Sequence, residues 1–322
     1  MIGVFQGVPM NASKTNKSTV VVALGGNALL RRGDEPSFAN QLDNIKIAAK
    51  AIAEIAKEYR VVIVHGNGPQ VGLLALQNLA YDKVSPYPLD VLGAESEGMI
   101  GYMLAQELQN KLPERDVTTL LTRIEVDCDD PSISDPTKFV GPVYDEVEGR
   151  ALAEKNAWTM KRDGEYWRRV VPSPLPKNII DKHSIDTLLE AGQLVIACGG
   201  GGIPVCKCES GFKGVEGVID KDLAATLLAK QLGAEKLLIL TDAPAVFLNW
   251  GKENQQALRS VGPSELKQYQ FPAGSMGPKV DAVVDFAEFG GRAYIGALDE
   301  SLDVLAENCG TCVSLDFEAV PA

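Results

Sequence analysis

The run Gly199-Gly200-Gly201-Gly202 leaves directly from the apolar stretch Leu194-Val195-Ile196-Ala197-Cys198. A strand that opens into consecutive residues without a Cβ lets backbone N–H groups come within hydrogen-bonding range of a bound anion, commonly a phosphate. The device recurs: Gly25-Gly26-Asn27 follows the candidate strand 20–24, and Gly66-Asn67-Gly68 follows 60–65. In parallel α/β sheets ligands sit beyond the carboxyl ends of the strands, so three such turns at one sheet edge describe a single anion site.

The chain around these turns has a regular rhythm. β-Branched runs alternate with longer helical patterns: strand 20–24, helix 39–58, strand 60–65, helices 68–80 and 93–111, then strand 117–121. A second half repeats the pattern with strand 194–198, helix 220–232, strand 236–240, helix 278–289 and strand 293–297, the last helix being stopped by Gly290-Gly291. This predicts an α/β fold with a mostly parallel sheet covered on both faces. Residues 123–173, acid- and proline-rich at first and basic around 161–169, break the rhythm and read as an inserted protruding subdomain or lid.

At 322 residues the chain is long enough for one large domain or two lobes, and a formal charge of -12 argues against a nucleic-acid or anionic-membrane surface. Any anion must therefore be held by a few placed cations. No run reaches the length of a membrane span, and residues 1–17 lack the apolar core of a secretory signal, so a cytoplasmic protein with a polar N-terminal tail is expected. The six cysteines fall in no paired metal-site spacing and only two histidines accompany them; reduced, structurally neutral thiols are expected.

Phosphate chemistry without a Gly-x-x-x-x-Gly-Lys-Ser/Thr loop must draw on lysines in structured settings. Three stand out. Lys221 lies in Ile219-Asp220-Lys221-Asp222 at a helix start, Lys279 in Gly274-Ser275-Met276-Gly277-Pro278-Lys279 at another, and Lys138 in Pro136-Thr137-Lys138 within the insert. Asp220 and Asp222 read equally as helix caps or as carboxylates that hold a lysine charged and aimed. Leu240-Thr241-Asp242 ends a strand with polar groups at the same sheet edge. His65 reads as structural.

Taken in order, Val22-Ala23-Leu24-Gly25-Gly26-Asn27-Ala28, His65-Gly66-Asn67-Gly68-Pro69-Gln70, Cys198-Gly199-Gly200-Gly201-Gly202-Ile203-Pro204, Ile219-Asp220-Lys221-Asp222, Leu240-Thr241-Asp242 and the segment ending in Lys279 closely resemble the carbamate kinases of the amino-acid kinase superfamily. The resemblance covers nearly all of 18–316. It implies a three-layer αβα sandwich, homodimeric, with residues 18–215 forming the lobe for carbamate or carbamoyl phosphate and 216–316 the nucleotide lobe, and 317–322 a tail. It implies that Gly25, Gly26, Asn27, Gly66, Asn67, Gly200 and Gly201 line the carbamate and transferred-phosphate site. Lys221 and Lys279 would neutralise the phosphoryl group, Asp222 would orient them, and Lys138 would reach in from the lid.

By the same resemblance, Thr241, Asp242 and Met276 would lie at ATP or ADP, with Mg²⁺ bound through nucleotide phosphates and by no protein side chain. Ala23 stands where related acyl-phosphate-forming kinases carry a lysine, which favours carbamate as substrate. Ala243-Pro244-Ala245 departs from the family's more frequent Val-Asp. The implied reaction is ATP + carbamate = ADP + carbamoyl phosphate, run toward ATP in arginine or ureido-compound breakdown. The helix at 93–111, with its small residues, is the expected dimer face. Two alternatives are a superfamily kinase acting on another carboxylate or on UMP, and a ligand sensor that keeps the fold.

Overall fold

The computed structural model describes residues 17–30, 34–272 and 275–318. The expected tails at 1–17 and 317–322 lie largely outside the described residues, and Gly274 lies outside them entirely.

Eight strands form the central sheet: β1 (Thr19–Leu24), β2 (Arg60–His65), β3 (Val117–Thr119), β4 (Leu194–Ile196), β5 (Lys236–Thr241), β6 (Ser260–Val261), β7 (Arg292–Ala297) and β8 (Thr311–Val313). Their order is β6-β8-β7-β5-β1-β2-β4-β3, and every pairing is parallel except β7 with β8. The unbroken β-branched runs of β1 and β2 are what a sheet buried on both faces requires. Val21 and Ala23 face one apolar layer while Val20, Val22 and Leu24 face the other, all with no exposure.

Helices α1 (Phe38–Glu58) and α3 (Leu89–Lys111) cover the second of these faces; α2 (Gly68–Ala80) lies between them in sequence. In α1 the Ser37 side chain caps the first turn, and Ile45, Ala48, Ala49 and Ile52 fall on one stripe against the sheet. Helices α4 (Lys182–Glu190), α5 (Lys221–Leu232) and α6 (Gly277–Glu288) cover the opposite face, through Ile185, Leu189, Ala225, Leu228, Val283 and Phe286. The result is a three-layer αβα sandwich.

Three element ends differ from the sequence reading by more than one residue, β3 among them, which stops at Thr119 and not at 121. Helix α3 starts at Leu89, not 93, because Leu89 and Leu92 bury against a third apolar cluster with Val71, Val140 and Val171. Strand β4 stops at Ile196, because Cys198 already turns into the left-handed region with φ 53.

The segment 123–173 divides in two. Arg123–Glu125 joins Asn178–Ile179, Ile203–Cys208 and Gly211–Gly214 in a four-stranded sheet beside the main body. Lys138–Tyr144, Tyr166–Val171 and Met160–Asp163 form a separate antiparallel sheet carrying the helix Glu146–Asn156. This second piece meets α2 backbone to backbone: a Cβ added at Gly72 would lie 2.2 Å from Cα of Gly141.

The expectation of reduced thiols is corrected. Cys128 and Cys206 are joined by a disulfide, 78 residues apart in sequence. The parallel pairing of Arg123–Glu125 with Ile203–Val205 brings them together, a long-range register that cysteine spacing does not encode. Cys198, Cys208, Cys309 and Cys312 are free.

Candidate active site

The three glycine turns meet at the carboxyl edge of β1, β2 and β4. Gly25 donates its N–H to the Leu240 carbonyl at 2.9 Å, which seats the first turn, Gly26–Ala28 with Asn27 in its backbone, against the end of β5. Gly66 donates to the Leu24 carbonyl at 3.1 Å, and a Cβ at Gly66 would lie 3.6 Å from the Gly26 nitrogen. Gly200 has φ +67, and a Cβ there would fall 2.1 Å from Nδ2 of Asn67, so only glycine fits where the second and third turns touch. Gly201 abuts the Ile219 carbonyl on the approach to α5. Asn67 is buried and directly precedes α2, whose amino-terminal N–H groups add positive potential to this edge.

Opposite the turns lies a cluster of cations on two carboxylates. Asp222, 4 % exposed, accepts from Lys221 Nζ on Oδ1 at 2.5 Å and from Lys279 Nζ on Oδ2 at 3.3 Å. Asp220 accepts from Lys138 Nζ on Oδ2 at 2.6 Å and, through Oδ1, from the Asp222 N–H at 2.9 Å. Asp220 is the N-cap of α5 and also holds Lys138, whereas Asp222 lies within the first turn, is no cap, and holds Lys221 and Lys279. The Lys221 stem lies over the second turn, its Cδ 3.4 Å from a Cβ built on Gly66.

The charges are tuned by burial and by one another. Burial pulls the Lys221 ammonium down from its ordinary range; Asp222 opposes this, and the neighbouring Lys279 adds to it. For Asp220, burial alone would raise the carboxyl, but Lys138 and Lys221 hold it well below the usual carboxylate range. The N-terminal end of α5 points its free N–H groups toward the same region.

Beneath the turns lies a buried polar pair. Burial pushes His65 down to about 4, against the pull of the Gly66 and Glu97 carbonyls, so the ring is neutral at physiological pH. Burial likewise raises Glu97 to about 8, although the N–H groups of Thr122 and Gly199 donate to it.

Thr241 ends β5 and donates its hydroxyl to Asp242 Oδ1 at 2.9 Å, adjoining the first turn through Gly25. Met276 is the residue before α6 and packs partly against the apolar layer under it, one helical turn from Lys279. The structure thus gathers Gly25, Gly26, Gly66, Asn67, Gly200, Gly201, Lys138, Lys221, Asp222 and Lys279. Thr241, Asp242 and Met276 occupy the flank formed by β5 and α6. Ala23 is wholly buried in the core.

Sequence reasoning missed Glu97, Ser96 and Thr122, all buried polar residues tied to the turns. Glu97 sits in Gly93-Ala94-Glu95-Ser96-Glu97, which reads as a dimer face of small residues and not as part of the site. The available signal is its spacing: Glu97 precedes Ile100 and Leu104 at helical intervals, on the stripe that the sheet buries.

Comparison with known proteins agrees with this geometry. Residues 18–296 match the amino acid kinase family. A carbamate kinase of Escherichia coli strain K12 is 56% identical over 298 residues, spanning 92% of this chain and 99% of the relative. One from Pyrococcus furiosus is 47% identical over 308 residues, 91% of this chain and 98% of the relative. Among solved structures, a carbamate kinase from Giardia lamblia bound to AMP-PNP is 41% identical, covers 93% of this chain and 99% of its own, and superposes with a TM-score of 0.85. On this agreement of fold, motif and near full-length identity, the chain belongs to the amino acid kinase family, among its carbamate kinases.

Proposed function

We propose that this protein catalyses reversible phosphoryl transfer between carbamoyl phosphate and ADP, giving ATP and carbamate, and that ATP formation in the breakdown of arginine or other ureido compounds is its working direction. The observation that carries the reading is the set of three lysines held on two neighbouring aspartates opposite three glycine turns. In the forward step an oxygen of the ADP β-phosphate attacks phosphorus. The bond from phosphorus to the carbamate oxygen breaks, and carbamate leaves as an anion. No proton moves, so the site needs no general base, and a neutral His65 engaged in structure is compatible with that.

What the site must overcome is repulsion between two anions. Lys221 and Lys279 supply charge at the transferred group, Asp222 orients them, and Lys138 adds a third cation from the insert. Backbone N–H groups at Gly25, Gly26, Asn27, Gly66, Asn67, Gly200 and Gly201 form the cradle for carbamate and phosphate. Residues 18–215 then serve the carbamoyl side, and 216–316 the nucleotide, with Thr241, Asp242 and Met276 beside it. The AMP-PNP held by the Giardia relative supports the nucleotide assignment.

Mg²⁺ belongs to the same reading as the companion of the nucleotide. Among the described residues no three His, Cys, Asp or Glu side chains gather to hold a metal, and Asp220 and Asp222 are committed to lysines. That donor set fits an ion that keeps its waters and is carried on substrate phosphates, where it neutralises charge. A homodimer through α3 is also proposed: Met99 and Tyr102 are exposed on its outer face. No helix among the described residues is long and apolar enough to cross a membrane, and a cytoplasmic setting is part of the proposal.

The test is ATP formation from carbamoyl phosphate, ADP and Mg²⁺ by the purified chain, beside Lys221→Ala. Rapid ATP formation that the variant loses supports the reading. A folded wild-type protein that makes no ATP, but phosphorylates UMP or an amino-acid carboxylate, overturns it.

A further inference from the structure

Helix α3 presents two adjacent polar side chains to the sheet edge, and each is tied to a different glycine turn. Ser96, with no exposure, accepts from Asn67 Nδ2 at 2.8 Å and donates to the Gly93 carbonyl at 2.8 Å. Glu97, 1 % exposed, accepts the Gly199 N–H on Oε1 at 2.8 Å and the Thr122 N–H on Oε2 at 3.2 Å. Thr122, itself buried, accepts the Cys198 N–H at 2.9 Å and donates to the Leu120 carbonyl at 3.0 Å. Consecutive peptide N–H groups at the mouth of the tetraglycine turn are thereby held by side chains from α3 and from the loop after β3.

The remaining donors of the turn are nearly all taken. Gly199 N–H goes to Glu97, Gly201 N–H to the Cys198 carbonyl at 3.0 Å, and Gly202 N–H to the Gly199 carbonyl at 3.0 Å. The N–H of Gly200 donates to no acceptor among the described residues, although Gly200 is buried. A buried peptide donor left without a protein partner is rare, and here it lies at the edge where the anion is expected. The arrangement is held against a cost: Cys198, a residue with a Cβ, sits at φ 53 immediately before the turn.

We infer that Glu97 is a positioning residue for phosphoryl transfer: by taking the Gly199 N–H it leaves the Gly200 N–H as the donor that the tetraglycine turn offers to the substrate phosphate or carbamate. Thr122 assists by holding the Cys198 peptide. Glu97 touches no substrate. It acts through the backbone, as an aliphatic side chain on that buried stripe, otherwise Ile100 and Leu104, does not. The inference rests on the carbamate kinase reading above.

Glu97→Gln provides the test. A glutamine has a single amide oxygen and turns an NH₂ toward the second backbone N–H, so it cannot hold both peptides. With wild type active, kcat/KM for carbamoyl phosphate in Glu97→Gln is expected to fall by about 100-fold, the loss typical of a misplaced transition-state donor, while KM for ADP stays within about threefold. A merely structural role gives a different outcome, a lower Tm with unchanged kcat and KM values in the folded fraction, and that outcome overturns the inference while leaving the carbamate kinase reading intact. Wild type inactive with carbamoyl phosphate overturns both. Should Glu97→Gln not fold, Thr122→Val removes the hydroxyl's bonds to the Cys198 N–H and the Leu120 carbonyl while the Thr122 N–H still donates to Glu97; about a tenfold loss of kcat/KM with KM for ADP unchanged supports the inference, and full activity overturns it.

Discussion

Lys138, on the insert, and Asp220, the cap of α5, lie 82 residues apart in sequence and meet Nζ to Oδ2 at 2.6 Å. The insert is thus latched onto the helix that carries Lys221. Replacing Lys138 by Met keeps most of the stem and removes the charge. The expected result is a fall in kcat of about 100-fold, since a cation proposed to face the transferring group is lost, read by ATP formation from carbamoyl phosphate. An unchanged kcat removes Lys138 from the site.

Asp222 joins two lysines through one nearly inaccessible carboxylate. Asp222→Asn leaves Lys221 and Lys279 facing each other without the carboxylate they share. Breaking a buried pair in this way costs roughly 3–5 kcal/mol, so a clear drop in Tm is expected together with a large loss of kcat. A variant that melts like wild type would show that the carboxylate is not the partner that keeps this cluster in place.

Gly72 and Gly141 form the contact between α2 and the insert. A methyl group at Gly72 has no room against the Gly141 backbone, so Gly72→Ala must push the insert away from the body. Because Lys138 rides on the same strand as Gly141, we expect lower kcat with the main fold intact, measured as activity against circular dichroism.

Stability should bend at both ends of the pH scale. Glu97 has its folded pKa raised from 4.5 to about 8, so its contribution is full below 4.5 and is lost as pH rises through 8. His65 is lowered from 6.5 to about 4, so its contribution is full above 6.5 and is lost as pH falls through 4. Thermal unfolding between pH 4 and 9 should show the alkaline decline in wild type and a flatter one in Glu97→Gln. Identical alkaline limbs would remove Glu97 as the cause.

If α3 forms the dimer face, a charge at its exposed ring should separate the subunits. Tyr102 is 64% exposed and lies on the side of the helix away from Glu97 and Leu104. Tyr102→Glu is expected to sediment as a monomer at micromolar concentration where wild type sediments as a dimer. A wild-type monomer ends the proposal.

The sheet, its helices and the three turns were legible because each carries a local signature: two-sided apolar strands, helical stripes, and glycines where strands end. Lys221, Lys279 and Asp222 were legible because they sit beside such signatures at helix starts. The polar scaffold was not. Glu97 meets Gly199 across 102 residues and Thr122 meets Cys198 across 76, and no periodicity announces such a partnership. The Cys128–Cys206 bond has the same character, since it depends on a strand register between distant segments. Residues 123–125, read as part of the insert, belong to the body's flank because their pairing partner lies after β4.

The hydrogen bond from Gly25 to the Leu240 carbonyl has a mechanical consequence. β1 and β5 are in register along their length and are stitched again just past their ends, at the border between the two proposed lobes. A sheet continuous through that border makes one stiff frame, on which the proposed carbamoyl and nucleotide ends ride together. Whatever compliance a catalytic cycle asks for must then come from the periphery, where the insert meets the frame through the Gly72–Gly141 contact, the apolar cluster around Val140 and Val171, and the Lys138–Asp220 and Arg169–Glu216 ion pairs, and it is there that strain applied by a ligand would be converted into movement.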